Sequence, residues 1–103
     1  NLAIIVIARN ECFAVQKCLN SIKSLNLENC EIICVDSDSS DGTFEVMKKF
    51  ASENSIVKVF QITGHVNSAI ARNVGIKQIS KKYVFFIRAQ KINIFKIIMY
   101  YPS

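Results

Sequence analysis

Beyond Glu53 the sequence has no carboxylate at all. All eight acids (Glu11, Glu28, Glu31, Asp36, Asp38, Asp41, Glu45 and Glu53) fall within residues 1–53. That absence excludes a carboxylate metal site, or a carboxylate general base, drawn from residues 54–103. The same second half carries eight basic residues, a balance of +8, whereas the first half sets five basic against eight acidic residues, a balance of −3. A one-sided basic half suggests an anionic partner, whether phosphate, nucleic acid or a membrane surface.

Other absences narrow the field further. None of the four cysteines (Cys12, Cys18, Cys30, Cys34) forms a CxxC pair, and the single histidine, His65, lies far along the chain, so the tight knuckles of a zinc site are missing. Cys18 falls on an apolar helix stripe and Cys34 inside a strand pattern, where cysteine behaves as a small hydrophobe. A reducing, cytoplasmic location fits such usage. No stretch reaches the ~20 apolar residues that span a bilayer. The apolar start Leu2–Ala8 is short and has no basic region before it, so no leader is expected. At 103 residues, half of them apolar, the chain is one small domain, or a piece of a larger one, with a packed core.

What is present alternates. Residues 2–8 (LAIIVIA) are a continuous apolar run, as expected for a strand buried on both faces of a parallel sheet. Val15, Cys18, Leu19, Ile22 and Leu25 then repeat at helical spacing. Residues 31–35 (EIICV) read as a second strand, ending in the polar loop 36–42 (DSDSSDG). That loop feeds a helix with Phe44, Met47, Phe50 and Ala51 inward, whose free N–H groups Ser40 or Asp41 can cap. Residues 56–62 (IVKVFQI) are a third strand, residues 67–80 a third helix with Ile70 and Val74 one turn apart, and residues 83–87 (YVFFI) a fourth strand. The order β-α-β-α-β-α-β predicts an α/β fold: an open parallel sheet of about four strands with helices on both faces. Residues 1–91 would form this domain. The tail 92–103, with eight apolar residues in the ten of INIFKIIMYY, fits nothing upstream; it is read as a strand, a contact with a second chain or a membrane surface, or sequence without a selected role.

Ligands of open α/β sheets bind beyond the carboxyl ends of the strands. Those ends supply residues 8–11 (ARNE), 36–42 and 88–91 (RAQK). Carboxylates there can accept from the N–H of a base or from ribose hydroxyls. Ligand contact is favoured for Asp36, at the end of the second strand, and capping for Asp41. A dinucleotide-binding turn is excluded, because the turn after the first strand (Ala-Arg-Asn-Glu-Cys) has no glycine, and a P-loop is absent.

Three motifs in order resemble the family-2-type, GT-A-fold, nucleotide-diphospho-sugar glycosyltransferases. They are the apolar strand running into Asn-Glu (IIVIARNE, 4–11), the Val-Asp-x-x-Ser-x-Asp-Gly-Thr pattern (VDSDSSDGT, 35–43) and Ala-Arg-Asn-x-Gly (ARNVG, 71–75), and the resemblance covers residues 2–87. It implies that the turn at Arg9 and Glu11, with Asp36 and Asp38, holds the base and ribose of a nucleotide. It also implies that Arg72 sits near the diphosphate, where a guanidinium pairs with phosphate oxygens; a salt bridge from Arg72 to Asp38 or Asp41 weighs equally. His65 and the pair Lys81 and Lys82 read as surface residues.

The sequence departs from the family after the fourth strand. There the family carries an Asp-x-Asp motif for Mg²⁺ or Mn²⁺, and this chain has Arg88, Ala89, Gln90 and Lys91. Either Arg88 or Lys91 substitutes for the metal, or the motif has degenerated, and degeneration is favoured. No metal or other cofactor is therefore expected in this chain, and the family's acceptor-binding half and carboxylate base are missing from it. The expected function is a family-2-like domain that binds a nucleotide-diphospho-sugar and is incomplete or inactive as a transferase. The alternative is a non-catalytic module that engages a partner. Nucleic-acid binding ranks last, since no aromatic-interleaved basic stripe is present.

Overall fold

The structure is a computed structural model that describes residues 2–25, 30–64, 68–77, 83–89 and 95–100. Its elements run β1 (Leu2–Ala8), α1 (Cys12–Ser24), β2 (Cys30–Ser37), α2 (Thr43–Glu53), β3 (Val57–Ile62), α3 (Ser68–Lys77), β4 (Tyr83–Ala89) and β5 (Phe95–Tyr100). The strands lie in the order β3-β2-β1-β4-β5. The four strands expected from the sequence are all parallel, β1 pairing with both β2 and β4, and β2 with β3. The uninterrupted apolar run of β1 is explained by this central position: residues 3–8 are all buried.

Strand alternation divides the core. Ile4, Val6 and Ala8 of β1, with Ile32 and Cys34 of β2, face α1 and α2. Ala3, Ile5 and Ile7, with Ile33 and Val35, face the opposite side, where α3 packs. Helices therefore cover both faces, as predicted. No helix among the described residues is long and apolar enough to cross a membrane. Burial pushes the Cys18 thiol up to about 11 and, helped by neighbouring Cys18, that of Cys34 to about 12. Both stay protonated at neutral pH and serve as core hydrophobes.

Sequence expectations are corrected in the tail, in the stripes of α1 and α2, and in α3. Residues 95–100 of the tail do fit the sheet: β5 pairs antiparallel with β4, Ala89 opposite Phe95 and Val84 opposite Tyr100. An extended apolar segment satisfies the hydrogen-bonding edge that β4 would otherwise leave open. Leu25 ends just past α1 and is 63% exposed, so the α1 stripe closes at Ile22, with Ala14 joining it. In α2, Met47 and Phe50 are buried as expected. Phe44 is only half-buried and lies under the Lys48 ammonium, 4.6 Å from its ring centroid.

The third correction concerns α3. Its inward residues are the small Ala71 and Gly75, while Ile70 is exposed. The reason is close approach: a Cβ on Gly75 would stand 2.7 Å from Ile5 Cγ2 and 3.0 Å from Ile5 Cδ1. Ile5 is fully buried and has no room to yield. Gly75→Ala should therefore destabilise the fold by about 1–3 kcal/mol, the usual cost of overpacking a core. Urea denaturation checks this, and Gly75→Ala combined with Ile5→Ala should cost less than the sum of the two single changes, because the second removes the clashing atoms.

Candidate functional site

The carboxyl ends of β1 and β2 are neighbours, Ala8 standing opposite Asp36. Each strand runs into a turn that leads to the N-terminus of a helix, so two polar segments, residues 9–11 and 38–42, meet at one edge of the sheet. Hydrogen bonds tie them together. Asn10 N–H donates to Ser39 Oγ at 2.8 Å, and Ser40 N–H returns a bond to Asn10 Oδ1 at 2.8 Å. Glu11 N–H donates to Thr43 Oγ1 at 3.0 Å. These contacts need a left-handed backbone at Asn10 (φ 50°) and Asp38 (φ 54°), which asparagine and aspartate tolerate better than most residues. At Gly42, the N-cap of α2, φ is 96°, where a side chain would be strained.

Asp41 does the capping expected of it, and for two helices. Its Oδ1 accepts from Thr43 N–H at 3.0 Å and from the Thr43 hydroxyl, while Oδ2 accepts from Cys12 N–H at 3.2 Å. One carboxylate thus serves the first residues of both α1 and α2, where the helix dipoles favour negative charge. Slight desolvation pushes this carboxyl up, but the bonds from Thr43 and Cys12 outweigh it and hold its pKa below the ordinary 3.8.

Asp36 is the centre of the site. It is completely buried. Its Oδ2 accepts from Ser39 N–H at 3.1 Å and from Gln61 Nε2 at 3.1 Å. Its Oδ1 is buried as well and has no hydrogen-bond partner among the described residues. A buried carboxylate oxygen with unused lone pairs costs on the order of 1–3 kcal/mol, and such atoms in a folded protein call for a functional explanation.

The other residues singled out from the sequence are placed as follows. Arg9 is exposed and Glu11 half-buried on the β1 turn, both beside the 38–42 loop. Asp38 is exposed, and its Oδ2 accepts from Gly64 N–H at 3.3 Å, which links the loop to the end of β3. Arg72 lies in α3 and Arg88 in β4 opposite Ile7, but the side chains of both lie outside the described residues. So do His65, Lys81, Lys82, Gln90 and Lys91, and so does the Arg72 salt bridge considered above. Sequence reasoning missed Asn10, Thr43 and Gln61. Gln61 had a usable signal, since strand alternation puts it on the face of β3 shared with Val57 and Val59, at the same end as Asp36.

The glycosyl transferase family 2 model matches residues 3–89. The chain belongs to that family. Among curated relatives, the glycosyltransferase AglE of Haloferax volcanii is 31% identical over 88 residues, which are 84% of this chain and 29% of AglE. The poly-beta-1,6-N-acetyl-D-glucosamine synthase of Staphylococcus epidermidis is 36% identical over 83 residues, 81% of this chain and 20% of that protein. This family-2 chain thus spans between a fifth and a third of the length of the curated relatives it matches. In three dimensions it resembles S. aureus TarS 1–349 in complex with UDP-GlcNAc, with a TM-score of 0.73 at 26% identity over 85% of this chain and 26% of that one. The mannosyltransferase PcManGT of Pyrobaculum calidifontis, solved with GDP-Man and Mn²⁺, has a TM-score of 0.77 at 22% identity, covering 84% of this chain and 26% of that one; it shares the fold.

The double cap makes a pH prediction. A depressed folded-state pKa means that Asp41 contributes stability above its ordinary value of 3.8, and that this contribution is lost as the pH falls through the lower folded value. Asp41→Ala should cost about 1 kcal/mol at neutral pH, the usual worth of a cap. The gap between wild type and variant in urea melts should close below the ordinary value of 3.8. A gap that stays constant into strong acid would show that charge at Asp41 plays no part.

Proposed function

We propose that this chain is a nucleotide-diphospho-sugar-binding portion of a family-2 glycosyltransferase. The nucleoside would sit at the carboxyl ends of β1 and β2. The observation that carries this reading is the second Asp36 oxygen: it is buried, has no hydrogen-bond partner among the described residues, and lies at the strand end where open α/β sheets take their ligands. Such an oxygen accepts from an N–H of a base or a hydroxyl of ribose. Arg9, Glu11 and Asp38 border the same edge, and Arg72 is the family-implied partner of the diphosphate. The relative solved with UDP-GlcNAc supports this ligand class.

The residues at the family's metal position do not fit a divalent cation. Arg88, Ala89, Gln90 and Lys91 offer two cations, a methyl group and an amide, with no anionic oxygen. Among the described residues no group of three His, Cys, Asp or Glu side chains is gathered that could hold one. No step is therefore routed through a metal. Three of the acids at this edge are already engaged by donors. Asp36 and Asp41 are engaged by two and three donors, Asp38 by the Gly64 N–H, and no acid follows Glu53. By itself this chain would bind the donor without transferring its sugar.

Two outcomes are expected. In calorimetric titration, Asp36→Ala should weaken nucleoside-diphosphate binding by about 1–3 kcal/mol, the scale of a hydrogen bond to a charged group. Equal binding by wild type and variant would remove Asp36 from the site. In a radiolabelled nucleotide-sugar assay with Mn²⁺ and a range of acceptors, the purified chain should show no turnover above background, since losing general-base help or charge stabilisation costs about 10² or more in rate each. Robust turnover would overturn the inactive reading.

A further inference from the structure

Asp36 and Gln61 stand opposite one another across the β2–β3 ladder, and the Gln61 amide donates to Asp36 Oδ2. We propose that Gln61 is the positioning residue of this site: by holding Oδ2, it turns the Asp36 carboxylate so that Oδ1 is the acceptor presented to the nucleoside. The inference rests on the nucleotide reading above and adds the residue that decides which oxygen meets the ligand.

The terminal torsion of an aspartate is broad and roughly two-fold, so an unrestrained carboxylate would offer either oxygen. Here two donors converge on the same oxygen. One, Ser39 N–H, belongs to the main chain and comes with the fold of the 38–42 loop. The other is Gln61, whose amide is the side-chain donor to Asp36 among the described residues. Chemistry fixes the sense of that bond, because a carboxylate accepts and the amide nitrogen must be the end that faces it.

Gln61 has little else to do. It is exposed on β3, an edge strand, and belongs to neither buried cluster. Replacing it opens no cavity. Its neighbours in charge are also accounted for. Asp38 is tied to Gly64, Asp41 to Cys12 and Thr43, and Arg9 and Glu11 lie on the β1 turn. The consequence of removing Gln61 is therefore concentrated on the Asp36 carboxylate.

The test uses Gln61→Leu and Gln61→Glu in the full chain, titrated calorimetrically with UDP and with GDP. The ratio of wild-type to variant affinity at each pH cancels the ligand's own titration. Gln61→Leu should weaken binding about tenfold, the loss of one hydrogen bond that orients a charged acceptor. Gln61→Glu sets acceptor against acceptor, and should lose at least about tenfold near pH 8. It should recover toward wild type as the pH falls, because protonation of the introduced glutamate again offers an O–H to Oδ2. A purely structural role for Gln61 would move the urea midpoint in both variants and leave the Gln61→Glu ratio flat with pH. Wild-type affinity in both variants, or a flat ratio, overturns the positioning role while leaving the nucleotide site standing. Absence of binding by the wild type itself overturns both.

Discussion

A carboxylate taken fully out of water must be met by donors, and Asp36 at the end of β2 imposes that requirement on everything around it. Ser39 can reach it only because the chain reverses at Asp38 in a left-handed conformation. Gln61 can reach it only because β3 runs in register beside β2. Hydrogen bonds to charged groups are worth about 1.5–3 kcal/mol each, enough to hold a loop that has no hydrophobic core of its own. The arrangement satisfies one oxygen and leaves the other without a partner among the described residues.

Around that acid the two turns are stitched rather than packed. Asn10 is joined to Ser39 and Ser40, Glu11 to Thr43, and Cys12 to Asp41, so three consecutive residues after β1 are tied to the segment after β2. Thr43 is wholly buried and has a double duty, accepting from Glu11 and donating to Asp41. The sheet fixes the strand ends, and these bonds carry that rigidity into the polar edge. A site held in place before its ligand arrives loses less entropy on binding. The sheet's rigidity comes from β1, which is buried on both faces and approached so closely by α3 that only glycine fits at position 75.

Much of this was legible in the sequence, and the failures have physical causes. LAIIVIA and EIICV read as buried parallel strands because both are short and rich in β-branched residues, and LAIIVIA is apolar throughout. Asp41 was readable as a cap from its place before a helix. The tail was readable as a strand, but not as one paired with β4, because that pairing is chosen by an open sheet edge rather than by anything local in INIFKIIMYY. The inward face of α3 was misjudged since hydrophobic spacing points to Ile70 and Val74, whereas close approach selects the small Ala71 and Gly75. Asp36 was identified as a ligand candidate, but its satisfaction on one side only depends on Gln61, 25 residues away in sequence.

A nucleotide should meet the chain at the carboxyl ends of β1 and β2. Amide and side-chain carboxyl NMR signals of the labelled protein, followed during titration with a nucleoside diphosphate, test this directly. The Asp36 carboxyl carbon, the Gln61 side-chain amide and the backbone amides of residues 9–12 and 36–43 should shift together and saturate. Shifts confined to the opposite end of the sheet, at the cavity lined by Ile22, Cys30, Asn54 and Ile56, or no shifts at all, would contradict it.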